Sequence, residues 1–206
     1  MSTIQEDAKP FHGPQLAGTL MTPDEFDAAD NWDEDYDYEL IRGILVVTPP
    51  VDAGERGSNE KLGHLLLSYQ ETHPQGSSLD LTLPENYIRT ADSRCRADRV
   101  IWAGLGRMPN VRKDPPNIAV EFVSDGKRNR QRDYVDKRNE YMTAGLDEYW
   151  IIDRFRRMMT AVRNGQPDLV IGETEIYRTS LLPGFELPLA QLLAVAGVVV
   201  GDCANG

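Results

Sequence analysis

The stretch Ile118-Ala119-Val120-Glu121-Phe122-Val123-Ser124 decides the fold, because it places a charged residue in the middle of an apolar strand. A short run of apolar, β-branched and aromatic residues is typical of a strand that is covered on both faces. A buried ionised carboxylate costs several kcal/mol unless a cation, hydrogen-bond donors or a metal accompanies it. The segment therefore predicts a central strand with a polar site at Glu121.

A second predicted strand, at residues 97–103, also carries an acid. Asp98 stands at its head, before the apolar residues Val100 and Ile101. If the two strands are neighbours, Asp98 and Glu121 converge into an oxygen-rich site of the kind that holds Mg²⁺ or Mn²⁺. We therefore take Asp98 and Glu121 as candidate catalytic acids and metal ligands.

A cation beside these acids would stabilise the negative charge that develops during attack on a phosphate. Position 123 shares a strand face with Glu121 but is Val123, so the strand supplies no lysine. The helix that follows carries a stripe at spacing i, i+3, i+4, i+7: Tyr134, Lys137, Arg138 and Tyr141. This stripe puts Lys137 at the edge of the helix that faces the sheet and makes it the candidate third catalytic group.

A second interpretation of Lys137 stays open at this point. Asp133 precedes it at i, i+4 spacing, which is typical of a surface ion pair worth about 0.3–0.5 kcal/mol. Spacing alone does not distinguish the two interpretations.

Periodicity and turn residues predict one α/β domain of mixed α+β type. Residues 1–20 are expected to form a flexible arm, residues 21–195 the domain and residues 196–206 a tail. A short helix is predicted to begin at Thr22, and three further helices are predicted at residues 58–73, 129–144 and 190–194. A hairpin is predicted at residues 38–47, and further strands at residues 79–83, 87–90, 97–103, 117–124, 149–153, 158–163, 169–172 and 176–178.

Net charge argues against nucleic-acid binding until its distribution is considered. The chain carries −11, and residues 1–40 hold eleven acids against one lysine, so the rest of the chain is close to neutral. Residues 127–138 contain a basic run that could meet an anion. A solvated helix face balanced by Asp133, Asp136 and Glu140 is the alternative.

The remaining features exclude several classes of protein. No stretch approaches the ~20 apolar residues of a membrane helix, and the beginning of the sequence lacks a signal-peptide pattern. Cys95 and Cys203 lie far apart, and the three histidines form no triad or zinc spacing. We expect a soluble cytoplasmic protein that has reduced thiols and does not enter a membrane.

An ordered series of motifs carries a family resemblance. It consists of Tyr38-Glu39-Leu40-Ile41-Arg42-Gly43, Ala97-Asp98-Arg99-Val100, Val120-Glu121-Phe122-Val123-Ser124, Arg132-Asp133 with Lys137 and Tyr141, Gly145-Leu146-Asp147-Glu148-Tyr149-Trp150-Ile151-Ile152-Asp153, and Leu182-Pro183-Gly184-Phe185. Because these motifs follow one another in this order over residues 21–193, the chain resembles the Uma family of restriction endonucleases, a bacterial group within the PD-(D/E)XK nuclease superfamily.

The resemblance implies a restriction-endonuclease-like core, with a mixed central sheet flanked by helices. It implies that Asp98 and Glu121 bind the metal, that Lys137 replaces a strand lysine and that Glu39 is a further metal-binding acid. The chain departs from the family pattern at Ala97, where proline is expected, at Val123, where lysine is expected, and at residues 58–59, where many relatives have histidine.

These features together predict a Mg²⁺- or Mn²⁺-dependent endonuclease that hydrolyses phosphodiester bonds in double-stranded DNA. A homodimer is expected, because two identical sites can address the two antiparallel strands. Two alternatives stay open: a catalytically degenerate binding module that keeps the fold, and a nuclease selective for RNA or for nucleic-acid structure.

Overall fold

One eight-stranded sheet forms the centre of the structure, a computed structural model that describes residues 12–196. Its strands are β1 (Asp37–Ile41), β2 (Ile44–Thr48), β3 (Leu79–Arg89), β4 (Arg94–Ala103), β5 (Ile118–Phe122), β6 (Glu148–Asp153), β7 (Met158–Arg163) and β8 (Leu169–Gly172). A separate pair consists of β9 (Ile176–Tyr177) and β10 (Leu187–Pro188).

The helices are α1 (Pro23–Ala28), α2 (Ala53–Thr72), α3 (Lys127–Gln131), α4 (Arg138–Thr143) and α5 (Leu189–Ala196). A π-helical segment, Arg132–Lys137, joins α3 to α4 in one continuous rod. Short 3-10 turns lie at Pro14–Leu16 and Gly76–Ser78.

The strand order is β2-β1-β4-β5-β6-β7-β8, and β3 pairs along the length of β4. All neighbours are antiparallel except β5 and β6, which are parallel and are joined by the α3–α4 rod. A parallel connection requires such a crossover, whereas antiparallel strands can be joined by tight turns. The sheet is therefore mixed, as predicted, and its centre is β4, β5 and β6.

Two apolar layers cover the sheet because the central strands alternate their side chains between its faces. One face packs against α2 and α5 in a cluster that includes Leu62, Leu66, Val120, Trp150, Ile152, Leu189 and Leu192. The opposite face packs against the α3–α4 rod in a cluster that includes Val100, Ala119, Val123, Tyr141, Tyr149 and Ile151. Glu121 lies between Ala119 and Val123 on β5 and so belongs to the face covered by the rod.

Local signals account for the helix boundaries near this sheet. Thr22 accepts from the Glu25 amide and Glu25 bonds back to the Thr22 amide, so the predicted capping box at α1 is formed. Asp52 caps α2 through the Glu55 amide at 2.9 Å. Helix α2 consequently begins at Ala53, five residues before the predicted start.

The structure confirms the predicted mixed α/β fold and changes some boundaries. The two strands predicted at residues 79–83 and 87–90 are one continuous strand, β3, in which Pro84 and Asn86 both pair with β4. Proline interrupts strand patterns in a sequence, yet an edge strand tolerates it because one side of its backbone needs no partner.

The described part of the predicted arm lies against β2. The Gly18 amide donates to the Leu45 carbonyl at 2.7 Å, and the Leu45 amide donates to Thr19 at 2.9 Å. Leu16 packs on a small aromatic cluster around Phe26. Residues 1–11 of the arm and residues 197–206 of the tail lie outside the described residues. Within residues 12–196, no helix has the length and apolar character required to cross a bilayer.

Candidate active site

The register of two central strands brings the two predicted acids together. β4 and β5 are antiparallel with Arg99 opposite Val120, so Asp98 and Glu121 are the next residues on their strands. Residues opposite each other in an antiparallel pair lie on the same face. β4 begins at Arg94, three residues before the predicted start, so Asp98 lies in the middle of the strand and not at its head. The Phe122 amide donates to Asp98 Oδ2 at 2.6 Å, which ties the middle of β4 to the end of β5. The two acids therefore lie side by side, as predicted.

Lys137 enters this site from the helical rod and is almost completely buried, with a side chain 2% exposed. Its Nζ donates to Glu121 Oε1 at 2.9 Å, and it contacts Glu39 Oε1 at 2.8 Å. A third bond, also 2.8 Å, goes to the Arg96 carbonyl. All three ammonium donors thus have protein acceptors. Asp133 is itself buried and pairs with Arg132, so a surface pair with Lys137 is not what the structure has.

The π-helical segment explains how the rod presents several polar groups to one face. Asp133, Lys137 and Tyr141 recur every fourth residue, and all three are buried. In an α-helix of 3.6 residues per turn, such a series drifts around the axis. A π-turn contains more residues and compensates for this drift. Tyr141 therefore reaches the same acid as Lys137, and its hydroxyl donates to Glu121 Oε1 at 2.8 Å.

Glu39, on β1, contacts the lysine and the strand beside it. Besides Lys137, its Oε1 accepts from the Arg96 amide at 2.7 Å, and its Oε2 lies 3.9 Å from Arg132. These contacts hold the Lys137 ammonium against β4. The implied role of Glu39 as a metal ligand stays a prediction.

Glu55, in the first turn of α2, is an acid of the site that the sequence did not single out. It is buried and accepts from the Ser124 hydroxyl at 2.9 Å, three residues beyond Glu121. The only sequence signal was its position three residues after Asp52, which also marks a helix cap. The predicted helix begins at residue 58 and so leaves Glu55 outside it.

Ser58 and Asn59, the positions where the family resemblance implies a histidine, have a structural role in this chain. The Asn59 side chain donates to the Asp98 carbonyl at 2.7 Å and accepts from Arg99 Nε at 2.7 Å. The Ser58 hydroxyl donates to the Leu192 carbonyl. Both residues anchor α2 to its neighbours, and Asn59 fixes the backbone of the strand that carries Asp98.

Electrostatics within the site follow from burial and from the crowding of like charges. Burial and the neighbouring Glu55 carboxylate raise the pKa of Asp98 to about 8. Burial raises the pKa of Glu55 to about 7, against the opposing hydrogen bond from Ser124. The pKa of Glu121 is also raised by burial, although Lys137 opposes the shift. Asp98 and Glu55 therefore retain protons near neutral pH, and a cation would displace them.

The lysine behaves in the opposite way. Burial lowers its pKa, but the carboxylates of Glu121 and Glu39 outweigh burial and raise the pKa of Lys137 above its ordinary value. The raised pKa favours the ammonium form of Lys137 at neutral pH.

A cavity of about 210 Å³ opens beside these groups. The acids that line it are Asp37, Glu39, Asp52, Glu55, Glu85, Asp98 and Glu121, together with the cations Arg96, Arg132 and Lys137. The basic run of residues 127–138 is thus divided. Lys127 and Arg128 are exposed, whereas Arg132 and Lys137 line the cavity. Neither of the two predicted roles, an anion-binding surface or a solvated helix face, therefore describes the whole run.

The donor set fits a hard divalent cation held by few protein ligands. The hydrogen bonds described above fall on one oxygen of each acid, Asp98 Oδ2 and Glu121 Oε1. No group of three or more His, Cys, Asp or Glu side chains in that range is arranged around a single metal position. Mg²⁺ commonly binds through one or two carboxylates and keeps its other positions for water and substrate phosphate.

Comparisons with known proteins agree with the resemblance seen in the sequence. A family model described as "Uma2: Putative restriction endonuclease" matches residues 23–190. In fold, the chain is similar to a crystal structure described as "a putative nuclease belonging to DUF820 from Anabaena variabilis", with a TM-score of 0.68 and 15% identity over 85% of this chain and 99% of that chain. No curated protein matches the chain.

Proposed function

Because this chain belongs to the Uma2 family of restriction-endonuclease-like proteins, we propose that it is a metal-dependent nuclease whose site is centred on Asp98 and Glu121. The observation that carries the proposal is the Lys137 ammonium, buried between Glu121 and Glu39 beside the cavity that Asp98 also lines. Burying these charges is costly, and a hydrophobic replacement is often as stable. A catalytic use of the charges accounts for the cost.

In this proposal, Asp98 and Glu121 hold Mg²⁺ or Mn²⁺ through their carboxylate oxygens. When bound, the ion supplies Lewis-acid activation of the scissile phosphate. The chain's own groups do the rest. Arg132 and Lys137 stabilise negative charge in the cavity. Glu55 also lines the cavity, and its pKa of about 7 suits it to accept a proton from an attacking water.

Lys137 acts through its charge and through position. Its three donors are occupied by Glu121, Glu39 and the Arg96 carbonyl, so the ammonium contributes its field to the cavity without a direct bond to phosphate. It also fixes the orientation of Glu121, with Tyr141 bonded to the same oxygen. A strand lysine at position 123 would have approached from the sheet, and the helical lysine provides the charge in its place.

The proposed substrate is double-stranded DNA in the cytoplasm, cleaved by a homodimer whose two sites address opposite strands. Two features favour the family's chemistry on a nucleic acid over a binding module: the adjacent carboxylates of the two acids and the polar cavity. The binding-module and RNA-selective alternatives are outcomes of the experiment that follows.

The test is plasmid nicking in Mg²⁺ or Mn²⁺ by wild type and by Asp98→Asn and Glu121→Gln, with Glu60→Gln as the matched control. Glu60 is an exposed acid of α2 that lies outside the cavity. Loss of a metal ligand removes several kcal/mol of transition-state stabilisation, so we expect nicking to fall by about 100-fold or more.

Titration calorimetry with Mn²⁺ completes this experiment. Wild type and Glu60→Gln should bind the ion, and the two site variants should not. Binding of nucleic acid without any nicking would favour the degenerate binding module. Cleavage restricted to RNA or to branched substrates would favour a nuclease selective for RNA or for nucleic-acid structure.

A further inference from the structure

The turn between β6 and β7 holds an exposed aromatic ring in a fixed position. Asp153, at the end of β6, is fully buried, and its Oδ1 accepts from the Phe155 and Arg156 amides at 3.0 and 2.9 Å. The side chain thereby closes a compact turn. Phe155 is nevertheless 45% exposed at the tip of this turn. A large apolar side chain that is rigidly held in solvent requires an explanation outside the core.

Two guanidinium groups lie over this ring. Arg154 lies 4.8 Å and Arg130 lies 5.5 Å from the Phe155 ring centroid, each over the ring. Arg156 lies 5.9 Å from the ring centroid of Tyr134, on the neighbouring π-helical segment. We refer to Arg130, Tyr134, Arg154, Phe155 and Arg156 as the Phe155 surface. Aromatic faces interleaved with arginines are typical of sites that stack bases and bind phosphates.

The nearby acids engage these cations to different extents. Both terminal nitrogens of Arg154 pair with Asp52, and its side chain is only 13% exposed. A terminal nitrogen of Arg130 lies 3.9 Å from Asp125, and its Nε lies 3.9 Å from Asp153. Arg156 Nε lies 3.7 Å from Asp153, yet the Arg156 side chain is 58% exposed. Exposed Lys127 and Arg128 add further positive charge at the start of the same rod. The positive charge that an anionic ligand can reach is therefore that of Arg156, Lys127 and Arg128.

The Phe155 surface adjoins the candidate active site. Asp52, the partner of Arg154, lines the cavity, and so does Asn129, the residue before Arg130. The Phe155 surface therefore lies beside the cavity of the candidate site.

We propose that the Phe155 surface binds an unpaired nucleotide of the substrate, with its base on the solvent-exposed part of the Phe155 ring and a flanking phosphate on the exposed Arg156. This inference rests on the proposed nuclease function and deepens it, because it names a single-stranded or splayed segment as the part of the substrate that is recognised. Bases within an intact duplex already stack on each other and offer no free face, whereas every unpaired base does.

The test measures binding, without cleavage, by fluorescence anisotropy in EDTA at low salt. The probes are a labelled 30-nucleotide single strand, the matched duplex and a duplex with a splayed end. Phe155→Ala should weaken binding of the single strand and the splayed duplex by about 5- to 100-fold, while the intact duplex changes little. Phe155→Trp should retain affinity, because it also stacks. Phe155→Leu, which keeps the apolar bulk, should behave like Phe155→Ala.

Two further variants separate stacking from charge and from surface apolarity. Arg156→Ala should weaken all three probes and reduce the salt dependence by about one counterion. Val170→Ala removes an exposed apolar side chain from β8 and should change nothing.

Equal affinity of wild type and Phe155→Ala for every probe would overturn the inference, and so would a loss that is the same for the intact duplex. No binding by wild type to any probe would overturn it as well. Because the assay contains no divalent ion, it is separable from the nuclease proposal. If binding depends on Phe155 but the protein cleaves no nucleic acid, the result supports nucleotide binding at the Phe155 surface and contradicts the nuclease proposal.

Discussion

Lys137 is the residue on which both the stability and the chemistry of the site depend. Removing one partner of a buried ion pair leaves the other charge uncompensated, which costs about 3–5 kcal/mol. We expect Lys137→Met to lower the free energy of unfolding by about this amount, because Glu121 and Glu39 lose their common cation. Urea unfolding followed by circular dichroism measures the change, and plasmid nicking should be lost.

Two variants make this result interpretable. Glu121→Gln combined with Lys137→Met neutralises one pair and should recover part of the lost stability without recovering nicking. Lys113→Met, an exposed lysine, is the matched control and should change neither property. If Lys137→Met unfolds at the same urea concentration as wild type, Glu121 is uncharged in the resting protein.

Glu55 should make stability depend on pH in the absence of metal. Its pKa in the folded protein is about 7, above the ordinary value of 4.5. The folded protein thus keeps a proton between these values that the unfolded chain releases, so stability is greatest below pH 4.5 and falls as pH rises through 7. Glu55→Gln abolishes this loss. From pH 5 to pH 8 the variant should gain on the order of 2 kcal/mol relative to wild type.

Urea unfolding in EDTA at pH 5 and pH 8 gives the comparison. Glu60→Gln, on the exposed side of the same helix, should keep a constant difference from wild type at both pH values. Parallel pH profiles for Glu55→Gln and wild type would mean that Glu55 is ionised throughout this range.

Among the elements, α2 depends on Asp52 at its start. The side chain caps the helix through the Glu55 amide and also pairs with Arg154. Loss of a cap costs about 1 kcal/mol, so Asp52→Ala should lower the free energy of unfolding by that amount. Asp52→Asn keeps the cap and loses only the ion pair, in which Asp52 is 56% exposed. It should therefore remain close to wild type, since exposed pairs contribute at most about 1 kcal/mol.

Thermal unfolding of the two variants distinguishes the cap from the pair. Equal destabilisation of Asp52→Ala and Asp52→Asn would assign the effect to Arg154. The displaced start of α2 is also expected to reduce nicking in Asp52→Ala, because Glu55 lies in its first turn.

The sequence predicts most elements of this fold because their patterns are local. β7 and β8 have the predicted boundaries, and the strand around Glu121 was recognised from its own apolar neighbours. Two features of the fold are not predictable from local sequence, for a physical reason. Continuity of β3 through Pro84 depends on β4 beside it, and the π-helical segment depends on packing against the sheet. Neither partner is visible in a single local window.

The candidate site was predictable to the same extent. Asp98 and Glu121 stand out because each is an acid in an apolar strand, and Lys137 follows from helical spacing. Glu55 and Ser124 approach the site from other elements, and their roles follow from contacts between α2 and β5 that local sequence does not encode. The three donors of Lys137 likewise become visible only when β1, β4 and β5 are placed together.

For the whole molecule, the proposed metal site predicts a stability that depends on divalent ions. A ligand that binds only the folded state at 100 times its dissociation constant adds about 2.7 kcal/mol. In a domain of this size, each kcal/mol raises the melting temperature by about 2–4 °C. We therefore expect saturating Mg²⁺ or Mn²⁺ to raise the melting temperature of wild type by about 5–10 °C.

The net charge of −11 makes the control essential, because an acidic protein attracts divalent ions without a specific site. The comparison is made against NaCl at equal ionic strength, with Glu121→Gln as the site variant and Glu60→Gln as the matched loss of one surface charge. Glu60→Gln should respond like wild type, and Glu121→Gln should respond by less than about 2 °C, since one of its two ligands is neutral. An equal rise in all three proteins would place the ion on the acidic surface, where residues 24–35 concentrate their carboxylates, and away from Asp98.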